Sequence, residues 1–458
     1  MDSSNSSSKK KKCEEDEDMI SNLPDVIISR ILSFLLTKEA VCTCVLSKRW
    51  MNMWTTITKL RFIDRKLYYR TYISRTHFLN SVYRVLLHLD AKSIEGFSLS
   101  LTKDYDSYHI NQWISAVLSR GVKELFIESN RKLDIFLHSL WKSQSLEKLV
   151  LDMNVCAVRL HMNGCAVKVP HLVYLSSLTV LELSGVTVVC PPSNESKNMC
   201  LNFPLLRVHR ATNCIWLNVK VVSFEVPLLE VLSISHTRAF KSVDSQTVIK
   251  FCAPRLTKFS YSGFIAPIPD TVLLDLDLST ARIASANIDP WEFVRESTEN
   301  TGSFAFELLK QFNNNVECLK FERSKVLAVA HDEFPAFGML TRLEMGNVTG
   351  DILLIFLRNS PFLKTLDIQE LLGFGEEHCN PENVPYCFIS NLEVMKFGKL
   401  KGVEDELRFA KFALEHARVL KRVSFCHHWE LRKSIFGKVK KKILSFKRSV
   451  SSPIIEFL

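Results

Sequence analysis

Ile20 to Trp54 reads ISNLPDVIISRILSFLLTKEAVCTCVLSKRWMNMW. Leu23, Ile27, Ile28, Ile31, Leu32, Leu35 and Leu36 recur at helical spacing but cover more than one face of a helix. After a break at Thr37 the pattern continues through Val41, Val45, Leu46, Trp50 and Trp54. So short a block cannot hide that much apolar surface within itself. Part of it must dock on another protein or on the rest of the chain. Local signals divide the block into three short helices. Pro24 suits a first-turn position, where its missing N–H costs nothing, and Asp25 favours the positive helix start. Thr37 is placed to cap a second helix beginning Lys38-Glu39-Ala40. Ser47 is placed to cap a third, with Trp50 and Trp54 on one face.

Beyond residue 90 an apolar triplet of the loose form L-x-x-L-x-L keeps returning. It appears as Ile94/Phe97/Leu99, Val122/Leu125/Ile127, Leu146/Leu149/Leu151, Leu178/Leu181/Leu183, Leu229/Leu232/Ile234 and Leu256/Phe259/Tyr261. It returns as Val316/Leu319/Phe321, Leu340/Leu343/Met345, Leu363/Leu366/Ile368, Leu392/Met395/Phe397 and Leu420/Val423/Phe425. Several neighbours stand 23 to 28 residues apart, a leucine-rich-repeat period. The last two members of each triplet alternate on a short strand and point inward. The first sits on the turn entering the strand. One such unit cannot bury its apolar side alone, so the units stack into a parallel sheet and a solenoid. Two places depart from the rule. After Phe203-Pro204-Leu205-Leu206, Arg210 stands where a third apolar residue is expected. Between Tyr261 and Val316 only Leu273/Leu276/Leu278 fits.

The block at the start resembles an F-box. Leu23-Pro24, an Ile/Leu-rich helix, Thr37-Lys38-Glu39-Ala40-Val41 and then Val45-Leu46-Ser47-Lys48-Arg49-Trp50 occur in the family's order. Family members often carry proline where this chain has Leu36. The end of the chain, Ile443-Leu444-Ser445-Phe446-Lys447-Arg448-Ser449 and Ile454-Ile455-Glu456-Phe457-Leu458, resembles the ending of an FBD module. The family usually has proline at the place of Lys447. Together these match the plant class of F-box/leucine-rich-repeat/FBD proteins. The resemblance implies an α/β architecture in four parts. These are a tail over 1–18 that the near absence of apolar residues leaves disordered, a three-helix F-box over 19–60, a solenoid over 61–378 and an α/β FBD module over 379–458. The solenoid would be a curved parallel sheet with helices or loops on its convex side.

The resemblance also implies a function. The F-box docks on the Skp-type adaptor of a cullin–RING ubiquitin ligase, and the solenoid binds a target protein for ubiquitination. Leu23, Pro24, Ile27, Ile31, Leu46 and Trp50 are the expected adaptor-binding residues. Strand alternation places Lys148, Val150, Asp152, Glu182, Lys258, Lys320, Arg342, Glu344, Asp367 and Gln369 on the concave, target-facing side.

The remaining features restrict the chemistry. The chain has 458 residues, 47% hydrophobic and 24% charged, which is globular and long enough for two or three domains. It contains no run that would span a membrane and no apolar leader at its first residues. A nuclear or cytoplasmic location follows as the expectation. Thirteen scattered cysteines then read as small buried hydrophobes. No G-x-S-x-G, Walker loop, G-x-G-x-x-G or H-E-x-x-H occurs, so the expectation is a non-catalytic protein with no cofactor and no metal. Glu376-Glu377-His378-Cys379 and His427-His428 are dense in potential ligands but read as surface loops. The net charge is +10. It is concentrated at Lys9–Lys12 and in eight Lys/Arg without a single Asp/Glu between Leu431 and Arg448. A nuclear scaffold or nucleic-acid-binding protein using these basic ends is the alternative. A solvated tail and helix face is the simpler reading, because no base-stacking series accompanies the charge.

Overall fold

The computed structural model describes residues 20, 22–64, 74–153, 165–191, 198–237, 247–264, 273–278, 280–291, 298–327, 334–381, 384–427, 433–449 and 452–458. The expectations for the 1–18 tail, Lys9–Lys12 and His428 lie outside these residues. A fifteen-stranded, wholly parallel sheet runs from Lys59–Ile63 to Ile454–Phe457 with its strands in chain order. All eleven triplets read from the sequence lie on it, and every member is buried. Burial of each such side chain stabilises the stack by about 1.5–3 kcal/mol.

Three more units share the pattern. Ile57/Leu60/Phe62 opens the sheet directly after the first helices, and all three are buried. The unit around Val208–Thr212 is Leu206/His209/Ala211, one residue out of the expected register. A buried histidine fills the inward leucine position, and Arg210 points outward to Glu182. Ile283/Ala286/Ile288 supplies the strand missing between Tyr261 and Val316, as Ser285–Trp291. Leu273/Leu276/Leu278 belongs elsewhere, because Leu273–Asp277 pairs with Val248–Cys252 in another sheet.

That other sheet corrects the expected convex layer. Helices do cover the sheet near both ends, over Arg75–His88, Ser107–Ser119, Gly350–Arg358, Glu404–His416 and Lys433–Leu444. Between 165 and 277 two further parallel sheets stand there instead, one of three strands and one of five. Segments such as Val221–Glu225 (VVSFE) and Val248–Cys252 (VIKFC) explain the change. Their apolar residues alternate at period two, and Val and Ile favour strands. Threonines lock successive units together. Thr179, Thr257 and Thr341 each donate a hydroxyl hydrogen bond to the carbonyl of Glu147, Glu230 or Glu317 in the preceding unit, at 2.9, 3.0 and 3.2 Å.

The C-terminal region continues the same sheet. Thr365–Leu372 pairs with Val394–Leu400, which pairs with Arg422–His427. The sheet therefore crosses residue 379 without interruption.

Candidate protein-docking surfaces

Helix α1 spans Asp25–Phe34 and helix α2 spans Thr37–Cys42. Pro24 stands just outside α1, and its carbonyl accepts from the N–H groups of Ile27 and Ile28 at 2.9 and 3.1 Å. Ile28 and Leu32 face inward and are fully buried. The opposite side of α1 exposes Val26 (77%), Ile27, Ile31 and Phe34 (70%). Val45, Leu46 and Met51, on the segment that follows α2, are exposed as well, with Val45 at 83%. Eight of the 21 exposed large apolar side chains among the described residues lie between Ile20 and Met51. This concentration far exceeds scattered surface hydrophobics and marks a docking face.

The six expected adaptor residues divide. Pro24, Ile27, Ile31 and Leu46 are exposed on this face, and Leu23 is half-buried. Trp50 is buried at 2% exposure, and its indole N–H donates to the carbonyl of Ile20 at 3.2 Å. It lies beneath the exposed face and not on it. The same face carries Val26, Phe34, Val45 and Met51, which the expected set of six does not include. Both sides of these short helices are apolar, so periodicity did not distinguish the outer side.

The expected caps also differ. Thr37 is the first residue of α2, almost completely buried, and its Oγ1 accepts from the Arg61 N–H at 2.7 Å. Arg61 lies on the first strand, Lys59–Ile63, so this bond joins the helices to the sheet. Glu39 instead satisfies the helix start, accepting from the Leu36 N–H at 3.1 Å. The third helix is a 3₁₀ helix, Trp50–Thr56, and the buried Ser47 Oγ has no partner among the described residues. Trp50 and Trp54 accordingly do not share a face; Trp54 is half-buried. Asp25 pairs with Arg49, closing α1 onto the segment before the 3₁₀ helix.

The junction is reinforced further. Thr55 Oγ1 donates to Asp90 Oδ2 at 2.8 Å, while the Thr55 carbonyl accepts from the Asp90 and Ala91 N–H groups. Asp64, buried after the first strand, accepts from the Thr102 N–H, the Thr102 hydroxyl and the Lys103 N–H at 2.8, 2.7 and 3.0 Å. These bonds tie the helices to the start of the sheet.

On the outer face of the sheet, Lys148, Lys258 and Arg342 are exposed, and Asp152, Glu182, Lys320, Glu344 and Gln369 are partly exposed. Two expected positions are not. Val150 is buried, flanked in register by Phe126 and Glu182. Asp367 is buried beneath Lys396 at 3.4 Å and accepts from Gln369 Nε2 at 3.0 Å. Several charges on this face pair with each other: Arg210 with Glu182, Lys320 with Glu322 and Arg342 with Glu344. A cluster missed from the sequence lies at the end of Ser285–Trp291. Arg323 has a left-handed backbone (φ 49°), lies over the Trp291 ring at 5.3 Å and pairs with Asp289. Arg323 follows its strand and falls outside the triplet, so alternation does not reveal it.

Among the described residues no group of three His, Cys, Asp or Glu side chains is arranged to hold a metal ion. The loop reading of Glu376–Cys379 is corrected, since it is a short 3₁₀ helix with His378 buried. His378 Nε2 donates to Asp351 Oδ1 at 2.8 Å, and Nδ1 accepts from the Gly375 N–H at 3.0 Å. One thiol has a histidine neighbour, Cys190 Sγ at 3.2 Å from His171 Nδ1. Burial pushes the Cys190 thiol up, and it pushes Cys165, Cys214 and Cys387 up to about 12. Such thiols stay protonated and poorly nucleophilic at neutral pH.

The comparisons with known proteins bear directly on both ends of the molecule. The F-box domain family matches residues 20–62 and the FBD family matches residues 380–425. The chain carries an F-box domain and an FBD. It is similar to an F-box/FBD/LRR-repeat protein of Arabidopsis thaliana, 28% identical over 437 residues, covering 91% of this chain and 90% of the relative. A second Arabidopsis protein so described is 29% identical, covering 89% of each. An Arabidopsis F-box/LRR-repeat protein is 28% identical over 438 residues, covering 90% of this chain and 91% of the relative. The F-box match ends on the first strand of the sheet, and the FBD match contains the strand Val394–Leu400 and ends within the next, Arg422–His427. An F-box domain implies binding to an Skp-type adaptor.

Proposed function

We propose that this chain is the substrate-recognition subunit of an SCF-type ubiquitin ligase. The observation that carries the reading is the exposed apolar face of Ile20–Met51, set on helices that are hydrogen-bonded to the first strand of the solenoid. The face binds the adaptor, and the outer side of the long sheet binds a target protein. No bond chemistry is required of this chain. It raises the effective concentration of a target lysine near a ubiquitin-charged enzyme carried elsewhere in the assembly. A rigid junction serves that task, because a loose one would spread the target over many unproductive positions. The mixed and partly paired charges of the sheet face favour a target recognised by shape and local hydrogen bonding over one recognised by a single sign of charge.

Affinity purification of the full chain from plant tissue, with and without proteasome inhibition, tests the proposal. The adaptor and cullin should co-purify in both conditions, and target proteins should accumulate only on inhibition. Absence of the adaptor in both conditions would refute it.

A further inference from the structure

The helix Lys433–Leu444 packs on the last strands through Phe436, Val439 and Ile443, and the ammonium of Lys440 lies 5.0 Å over the Phe457 ring. These residues define its inner side. At 3.6 residues per turn, Lys438, Lys441 and Lys442 then fall outward at i, i+3 and i+4. Lys447 and Arg448 follow immediately after the helix, and all five cations are exposed. Lys442 approaches Glu404 at 3.6 Å. Among the described residues, no carboxylate stands within ion-pair distance of Lys438, Lys441, Lys447 or Arg448. Several exposed cations elsewhere on the solenoid pair across neighbouring units, as Arg207 does with Glu230, Lys250 with Asp275 and Lys421 with Glu393, whereas others such as Lys148 and Lys258 stand singly among the described residues. The negative end of the helix dipole accounts for Lys441 and Lys442 in its last turn. It does not account for Lys438, nor for the two cations beyond the helix.

From this uncompensated surface we infer that the outer face of Lys433–Leu444, with Lys447 and Arg448, is a docking site for an acidic polypeptide segment. Charge complementarity sets the sign of the partner. Its class follows from what stands beside the charge. Leu444, three residues from Lys441, is 43% exposed on the same helix, so the surface offers an aliphatic contact alongside the cations. The surface carries no exposed aromatic series on which bases would stack. Four of the five cations are lysines, point charges without the planar fork that arginine brings to nucleic-acid recognition. An acidic segment with interspersed aliphatic residues satisfies both features. This site is independent of the ligase reading, since it stands at the opposite end of the sheet from the F-box.

The test is fluorescence anisotropy on the full chain with three labelled probes at one ionic strength near 0.15 M. They are a peptide of glutamates interspersed with leucines, the same peptide with serine for leucine, and a short duplex DNA. The leucine-containing peptide should bind best. Binding should weaken at least about tenfold in a variant combining Lys438→Glu, Lys441→Glu, Lys447→Glu and Arg448→Glu, from the summed exposed pairs. A matched variant with glutamine at the four positions, of unchanged melting temperature, should show an intermediate loss. Equal binding by wild type and both variants would overturn the site, and so would no binding of either peptide to the wild type. Tighter binding of the duplex than of the leucine-containing peptide would overturn the polypeptide assignment.

Discussion

Replacement of Thr37 by valine should loosen the connection between the docking helices and the solenoid. The Thr37 side chain is 1% exposed, and its Oγ1 holds the Arg61 N–H at 2.7 Å. Valine keeps the shape of the side chain and removes only the acceptor. Water has little access to replace it, so the Arg61 amide is left unsatisfied at a cost of about 1–3 kcal/mol. Thr37→Ser keeps the acceptor and loses one buried methyl group, worth about 0.8 kcal/mol. The two variants are therefore distinguished by local behaviour more than by total stability. Hydrogen exchange should accelerate at the Arg61 amide in Thr37→Val and stay near wild type there in Thr37→Ser. Urea unfolding should show the valine variant to be the less stable of the two. Adaptor affinity should change little, because the exposed face of α1 is untouched. Equal exchange at Arg61 in the two variants would refute the claim that this bond ties α2 to the sheet.

The other predictions concern the sheet, the buried histidine and the tail. Leu232→Asp and Leu366→Asp should each destabilise the fold by several kcal/mol, since both positions are fully buried and an unpaired carboxylate would be forced into the core. Ser233→Asp and Glu344→Lys, on the outer face, should melt near wild type; indistinguishable melting of the inward and outward sets would show the register to be wrong. His209 is held neutral by burial, its pKa pushed down to about 4 from the ordinary 6.5. The unfolded chain binds that proton first, so stability should be complete above about pH 6.5 and fall by on the order of 3 kcal/mol as pH drops toward 4. His209→Leu should flatten that part of the pH–stability curve, and an unaltered slope would contradict it. A run of four lysines can serve as a nuclear import signal; on that proposal, replacing Lys9–Lys12 by glutamine should lower the nuclear fraction, and unchanged fractions would remove that role from the tail.

Most of the solenoid was legible because its physics is local and periodic. A buried pair alternating on a short strand, entered through a buried turn residue, leaves the same trace in each unit. It failed where an inward position carried an unexpected side chain, at His209 and Ala286. It failed again at Ile57/Leu60/Phe62, where the strand follows directly on an apolar helical block. Leu273/Leu276/Leu278 shows a different limit, since alternation identifies a strand but not the sheet it joins. The docking region was legible as a motif and less so as a surface. Thr37 and Ser47 have the residue types of caps, yet Thr37 serves Arg61, 24 positions away. The F-box order places Trp50 at the docking region, but that it lies buried, with its indole N–H on the Ile20 carbonyl 30 positions away, is not written in the local spacing. Such assignments rest on long-range packing, which spacing within a helix does not encode. Asp367 illustrates the same point on the sheet, where Lys396 of the next strand covers a position that alternation alone assigns to solvent.

The central claim is that the exposed apolar face of α1 and the turns after α2 is the adaptor-binding surface. Its most direct test is the affinity of the purified full chain for an Skp-type adaptor, measured by calorimetry beside a variant carrying Val26→Ser, Ile31→Ser and Leu46→Ser. All three side chains are exposed, so the variant should keep the wild-type melting temperature. Truncated apolar anchors at the centre of an interface cost about 1–2 kcal/mol or more each, so affinity should fall by roughly a hundredfold or more. Wild-type affinity in the folded variant, or a loss that appears only together with unfolding, would contradict the account.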